Sequence, residues 1–577
     1  MLKNKRWLLV GVIAAMLVMA ACATPTPAAT EEAATEAATE AATAASTEAA
    51  TAEPTEAAPV QPTDPIPTTM SAECGGTSTI KEITAVDAST VKITLCAPDP
   101  SFLAKIALPS YGVEPKAHLE KVAWNSEVNR DVIGTGPYAL DTWAEGESVI
   151  LKRNDSYWGE APAQGTLVFR WNSEPAARLL ALQSDEADGM DNVGKDQTET
   201  VAADATLQLK PRDPMTIVYV GMTNTFAPWD NPDVRKALAM GIDRQKFLDN
   251  YFPAGSQLAD YFTPCIIANG CQGDAWYDYD PAAAKALLAT AAPDGIKTKI
   301  YFRDVTRPYA EGFPVLAQEL QTQLKEIGIE TEIVPMQSAD FIGQATTGKL
   351  DGLFLLGWTA DYPHITNFLD AHFSAGVETF GTPDDELVAL LAEGAQLPEA
   401  DAADVYVKAN NRLREVVPMV PIVHSVSSVA YKADVTGAYS SPLSSENFAL
   451  MDAGGRDTFV WIQGAEPGGL YAADKSDGES LHVAQHITEG LYTMTAGPDP
   501  VPTPALATEC VDDGTLTVWT CTLREGVTFH DGSPLTADDV AASLIVAWDA
   551  GSPYHVGAGE GFYYIDALFG MINKPAE

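Results

Sequence analysis

No catalytic signature runs through this sequence. HExxH, GxSxG, the phosphate loop GxxxxGK followed by Ser or Thr, and the dinucleotide fingerprint GxGxxG are all absent. These absences remove the motif-based readings of zinc peptidase, serine hydrolase, nucleotide hydrolase and Rossmann dehydrogenase. GTGPY at Gly134–Tyr138 lacks the third glycine and a following helix, and GAGEGF at Gly557–Phe562 has the wrong spacing. Carboxylates are so abundant that nearness in sequence nominates no acid–base pair, and nothing nominates a nucleophile. No CxxC pair occurs, so zinc chemistry is not expected, and neither a metal nor a cofactor is predicted. Cations are also scarce: 35 Lys and Arg stand against 79 Asp and Glu, for a net charge of −44. Such a surface is a poor match for nucleic acid, whose phosphates need Lys and Arg. Beyond the N-terminal residues there is no apolar run long enough to span a membrane. The chain reads as a binder rather than an enzyme.

What is present begins at the N-terminus. Lys3, Lys5 and Arg6 precede an apolar run, Trp7 to Ala21, which is the charged and hydrophobic order of a secretory signal peptide. Met19-Ala-Ala-Cys22 resembles a bacterial lipobox, with Met19 where the pattern prefers Leu. That resemblance implies a lipidated Cys22 and an extracytoplasmic protein held to the cell membrane by lipid; the alternative is an ordinary signal peptide with an incidental cysteine. Residues 23–73 are rich in Ala, Thr, Glu and Pro, with no Lys or Arg before residue 72. This composition cannot bury enough apolar surface to offset its ordering entropy, so it reads as a disordered tether with a reach of about 40 Å.

The remaining residues alternate strand-like and helix-like patterns, which predicts an α/β fold. Ser89 to Leu95 alternates with period two, and Val149 to Lys152, Thr166 to Trp171, Glu330 to Pro335 and Asp351 to Trp358 read as strands. Helices are predicted over Pro115–Trp124, Pro175–Gln183, Asp233–Asp249, Pro281–Ala289, Pro314–Ile327, Asp385–Ala392 and Ala402–Val416. Six cysteines remain besides Cys22, an even number that fits disulfides in an exported protein. The expected pairs are Cys265–Cys271 across a short loop, Cys510–Cys521 flanking a turn at Asp512-Asp513-Gly514, and Cys74–Cys96 flanking one at Asp87-Ala88-Ser89. Free buried thiols are the alternative.

Several stretches resemble family 5 extracellular solute-binding proteins, the dipeptide- and oligopeptide-binding group. They run in order from Ile133-Gly-Thr-Gly-Pro-Tyr138 through Leu151-Lys-Arg-Asn-Asp-Ser-Tyr-Trp158, Val234-Arg-Lys-Ala-Leu238, Tyr279-Asp-Pro281 and Arg307-Pro-Tyr309 to Gly357-Trp-Thr-Ala-Asp361 and Ile422-Val-His-Ser425. The block that resembles the family's beginning, Gly454 to Glu577 with CTLREGVTFHDGSPLTADDV inside it, stands at the other end. Read together, residues 74–450 and 454–577 make one family-length domain in rotated order. A circular permutant explains this; a domain swap or a fragment of a tandem array are the rivals.

The resemblance implies a two-lobed, periplasmic-binding-protein-like fold of class II, of the large three-subdomain type, with hinge crossover strands. Residues 216–424 would form lobe II. Residues 131–215, 425–450 and the start of the 454–577 block would form lobe I. Residues 74–130 and the rest of that block would form an outer subdomain. The implied function is capture of a peptide for the permease subunits of an ABC importer. Alternatives are an oligosaccharide, nickel-chelate or opine ligand, or a sensory or scaffold lipoprotein presenting ligand to a receptor. A monomer is expected, or a dimer if the blocks swap. Asp361 is the candidate for a ligand's α-ammonium, since a carboxylate in a water-poor cleft makes a strong charge-assisted bond to an amine. Its competing role is a cap for the segment at Tyr362-Pro363. Trp358, Thr359, Tyr362, His424, Ser425 and Arg307 complete the candidate ligand set, with Arg303 and Arg307 considered for a carboxylate. His364-Ile365 departs from the Asp-Pro of the relatives. His530-Asp531 is assigned to its own hairpin.

Overall fold

The structure, a computed structural model, describes residues 61–557 and 561–575. The expected signal peptide, Cys22 and the expected tether up to residue 60 lie outside the described residues. Among the described residues no helix is long and apolar enough to cross a membrane.

Three large sheets and one two-stranded ribbon organise the described residues. In lobe II, Ile296–Arg303 runs parallel to Ile329–Met336 and Leu353–Thr359, while Thr216–Met222 lies antiparallel between Leu353–Thr359 and Met419–His424. The continuous apolar run DGLFLLGW makes sense here, because Leu353–Gly357 are all buried at the centre of the sheet. Helices with Pro in the first turn flank the sheet, among them Pro281–Ala291, where the Asp280 side chain accepts from Ala283 N at 2.9 Å. The predicted helix over Asp233–Asp249 is instead two, Pro232–Gly241 and Arg244–Tyr251. The reason is Asp243, whose side chain accepts from Lys246 N at 3.0 Å and starts a second helix.

Lobe I and lobe II are joined by two short crossings. Strand Leu207–Arg212 of lobe I leads through residues 213–215 into Thr216–Met222, and Met419–His424 returns through residues 425–426 into Ser427–Lys432. Beside them Arg212 is buried, gives two donors to the buried Glu446 at 2.8 and 2.7 Å and forms an ion pair with Asp191 at 2.9 Å. With both partners in place this charge is compensated; removing either leaves the other uncompensated.

The block after Gly454 completes the sheets of its own chain. Thr458–Gln463 runs parallel between Thr166–Trp171 and Gly189–Met190 in the seven-stranded sheet of lobe I. In the five-stranded outer sheet, Val518–Leu523 pairs with Thr90–Leu95 on one side and Ala507–Asp512 on the other. Helix Ala537–Trp548 opens with a capping box between Thr536 and Asp539 and is buried almost throughout its length. The end of the block meets the start of the domain: Thr79 N donates to Phe569 O at 2.6 Å and Thr77 Oγ1 to Met571 O at 2.7 Å.

The domain also starts earlier than residue 74. Ile66 is 2% exposed, and Thr69–Ser71 forms an edge strand on Ile80–Asp87. Gln61 Nε2 donates to Glu120 O, Ile66 N donates to the Glu120 carboxylate, and the Asp64 carbonyl accepts from the Tyr554 hydroxyl. Tether composition therefore does not mark the boundary; one buried isoleucine and a short β-bridge do. The sulfurs are bonded Cys74–Cys96, Cys265–Cys271 and Cys510–Cys521, the pairs expected from the hairpins and the short loop.

Candidate functional site

Strand Leu353–Thr359 delivers its C-terminal end to the place where lobe II faces the outer subdomain. Gly357 is required there, because a Cβ would meet the Ile217 carbonyl and the Tyr309 ring. The loop that follows is organised by one side chain, Asn367, which is 1% exposed. Its Oδ1 accepts from Asp361 N at 2.9 Å and from Trp358 Nε1 at 3.1 Å, and its Nδ2 donates to Asp361 Oδ2 at 2.9 Å. The other carboxylate oxygen, Oδ1, accepts from the Tyr564 hydroxyl at 2.8 Å. Tyr564 lies on helix Tyr563–Phe569 of the C-terminal block, and its carbonyl accepts from the Tyr111 hydroxyl at 3.3 Å. Burial pushes the Asp361 carboxyl up to about 6, with the bonds from Asn367 and Tyr564 pulling the other way. No cation pairs with Asp361 among the described residues.

The capping role considered for Asp361 belongs to His364. Its Nδ1 accepts from Thr366 N at 3.3 Å and lies 2.8 Å from Thr366 Oγ1, at the start of the turn Ile365–Asn367. Burial, with the Lys105 ammonium adding to it, holds His364 down to about 4. Tyr362 turns away from lobe II: it is 2% exposed and packs into the apolar cluster of the outer subdomain, its hydroxyl 3.1 Å from Thr366 Oγ1. Lys105 lies beyond it, paired with Asp99 at 2.7 Å, and Asp370 is pushed up to about 7 by burial.

The other sequence-nominated residues fall at two further places. Arg307 and Ala310 exchange backbone bonds in a tight turn, and Arg307 lines a crevice at the hinge with Asn192, Lys195, Glu311, Ser425 and Ser428. Burial pushes up the Glu479 carboxyl of lobe I, and a backbone bond and then the Arg307 charge counter that rise. Arg303 is engaged within lobe II, donating to Ser338 Oγ at 2.9 Å and Tyr309 Oη at 3.2 Å. His424 is 2% exposed and set into the hinge, its Nδ1 2.6 Å from the Thr216 carbonyl oxygen. Thr359 is half-buried opposite Thr216, and Trp358 rests edge-on to His372 at 5.1 Å, partly in the core. Trp358 and Asp361 are thus brought together, as are Arg307 and Ser425; Tyr362 and His424 are committed to packing. His530 ties its hairpin to Gly134 N and the Gly136 carbonyl. Sequence reasoning missed Asn367 and Tyr564 as partners of Asp361. Among the described residues no cluster of His, Cys, Asp and Glu is arranged to hold a metal ion.

Comparison with known proteins follows this geometry. The family described as "Bacterial extracellular solute-binding proteins, family 5 Middle" matches residues 37–380 and 501–563. The chain is 27% identical over 393 residues to Di/tripeptide-binding protein 1 of Pseudomonas aeruginosa, covering 65% of this chain and 72% of that one. It is also 27% identical over 390 residues to the glutathione-binding protein GsiB of Salmonella paratyphi A, covering 65% and 74%. Among solved structures, a dipeptide binding protein from Pseudoalteromonas sp. SM9913 in complex with Met-Leu matches with a TM-score of 0.59 at 25% identity, over 65% of this chain and 76% of that one. HbpA2 from Haemophilus parasuis matches with a TM-score of 0.57 at 26% identity, over 65% and 76%. These relatives are binding proteins rather than enzymes. With a two-lobed α/β architecture and a family match spanning well over half its length, the chain belongs to the family 5 bacterial extracellular solute-binding proteins.

Proposed function

We propose that this protein captures short peptides outside the cytoplasm and hands them to the permease of an ABC importer. The single observation that carries the reading is Asp361: a buried carboxylate at the meeting of lobe II and the outer subdomain, held by two neutral donors and, among the described residues, no cation. Such a group gains most from a ligand that brings its own positive charge, as a peptide's α-ammonium does. Arg307, at the hinge crevice with Ser425, supplies the complementary charge for a ligand carboxylate, and Trp358 and Thr359 border the amine end. Relatives named for dipeptide and tripeptide binding support this assignment. Cys22 holds the protein to the membrane by lipid, and delivery to a permease follows from the family.

Calorimetry with di- to pentapeptides tests the reading. Wild type should bind, and Asp361→Asn should lose at least about 100-fold in affinity, the order expected when a buried charge pair is broken. Unchanged affinity in that variant defeats the proposal.

We further propose that the chain order is rotated relative to the family, with residues 454–577 as the family's opening segment. The support is the fit of that block into the sheets of its own chain and the bonds between residues 569–571 and 77–79. A gene reordered as 454–577 followed by 74–450 should give a monomer with the same peptide affinity. A wild-type dimer that dissociates only on unfolding would favour the swap.

A further inference from the structure

Asp361 is ringed by titratable groups from several elements. Tyr563 and Tyr564 face it from helix Tyr563–Phe569, and Tyr111 from the turn Pro109–Tyr111. Tyr362 and His364 belong to its own loop, Asp370 to the helix Leu369–Phe373 that follows, and the Lys105–Asp99 pair stands beyond Tyr362. Of these only Tyr564 makes a hydrogen bond to the carboxylate, at 2.8 Å from Oδ1. Tyr564 is 6% exposed, and its ring is fixed by the helix that carries it. A phenol donating to a carboxylate stabilises the ionised form, while the surrounding burial opposes it.

We infer that Tyr564 is the positioning residue of the amine subsite: its hydroxyl keeps Asp361 ionised and aimed, and yields that oxygen to an incoming ammonium. The inference rests on Asp361 being the amine acceptor. It gives the C-terminal block a role at the ligand: a residue 203 positions away sets the charge state of the acceptor. No proton need leave Tyr564, because burial raises its hydroxyl well above the usual phenol range and it stays a donor.

The test has a ligand-free arm and a peptide arm. In the ligand-free arm, the difference in melting temperature between Asp361→Asn and Asp361 is followed from pH 4 to 9 in three backgrounds: unaltered, Tyr564→Phe and Tyr111→Phe. In the unaltered chain the difference should change as pH rises from the ordinary carboxyl value of 3.8 and level off near 6, the folded-state midpoint of Asp361. Tyr564→Phe should move that midpoint up by about half a pH unit or more. Tyr111→Phe, which loses only the bond to the Tyr564 carbonyl, should leave it in place. A midpoint that stays or falls in Tyr564→Phe, or that moves as far in Tyr111→Phe, overturns the inference. In the peptide arm, calorimetry with dialanine should show Tyr564→Phe losing several-fold more affinity at pH 6 than at pH 8. Equal losses at both pH values also overturn it. Asp361→Asn separates the two claims: if dialanine affinity is unchanged there, the amine reading has failed, whatever the ligand-free midpoint shows about the hydrogen bond.

Discussion

Lobe II and the outer subdomain reach a closed core by opposite routes. The six-stranded sheet of lobe II is drawn from one stretch, 216–424, and the parallel strands at its centre are contributed within sixty-odd residues of each other. The outer subdomain is sewn from two distant stretches: Trp548 Nε1 donates to Ser78 Oγ at 2.8 Å across 470 positions, and Phe102 stacks on Trp519 at 5.0 Å. Loop-closure entropy grows only with the logarithm of separation, so distant pairing is tolerable in stability but slow to form. The two disulfides here, Cys74–Cys96 and Cys510–Cys521, each close a hairpin within one stretch. None described crosses between stretches. Covalent bonds therefore stiffen the pieces, and the seam between them is held by burial and hydrogen bonds alone.

The contrast can be broken most forcefully at the seam. Trp548→Ala should cost about 3–5 kcal/mol, because it deletes a fully buried indole and its bond to Ser78 Oγ. Hydrogen exchange should show residues 80–95 and 507–523 losing protection while 296–303 keep theirs; equal loss in both would mean the two regions unfold as one. Replacing both Cys510 and Cys521 by Ala should destabilise by about 3 kcal/mol, and the same change at Cys265 and Cys271, which close a shorter loop, by about 2 kcal/mol. Urea titration of the two double variants checks that order.

Acid should sharpen the difference further. Burial pushes Glu114, packed under helix Ala537–Trp548, up to about 8 from an ordinary value of 4.5. A carboxyl raised on folding binds its proton more tightly in the native state, so its contribution is full below 4.5 and is lost as pH rises toward 8. In lobe II, burial holds His372 and His424 down to about 4 from 6.5. Their contribution is full above 6.5 and is lost as pH falls toward 4. Moving from pH 8 to pH 5 should therefore strengthen the outer subdomain through Glu114, while in lobe II the loss at His372 and His424 is offset by Asp361 and Asp370, which burial raises to about 6 and about 7; region-resolved limited proteolysis can follow the contrast. Glu114→Gln should flatten the outer profile only. The smallest effect expected is Ser78→Ala, about 1 kcal/mol net for the lost bonds to Trp548 and the Ile80 backbone, read by urea unfolding.

Local pattern was legible where local physics decides. The buried run of Leu353–Gly357, the proline-led helices and the hairpins at Asp87 and Asp512 follow from periodicity and turn chemistry. The break at Asp243 was harder, because the same apolar spacing suits one helix or two, and only the capping geometry separates them. Asp361 could be nominated from GWTAD by resemblance. Its partnership with Tyr564 could not, since nothing in either neighbourhood records a contact 203 residues apart. His424 illustrates the converse: a polar residue at a strand end beside the expected cleft, yet folded into the hinge by a bond to the Thr216 carbonyl.

The edge strand Thr69–Ser71 acquires a mechanical meaning. A load arriving along the preceding chain meets the bonds at Gln61, Asp64 and Ile66 first, then the short strand, each contact contributing on the order of 1 kcal/mol. Just behind stands Cys74, covalently fastened to Cys96. Stretching would let out about a dozen residues, on the order of 40 Å when extended, in small reversible steps before reaching that stop. The outer subdomain thus carries a built-in damper, which yields bond by bond before tension reaches Cys74.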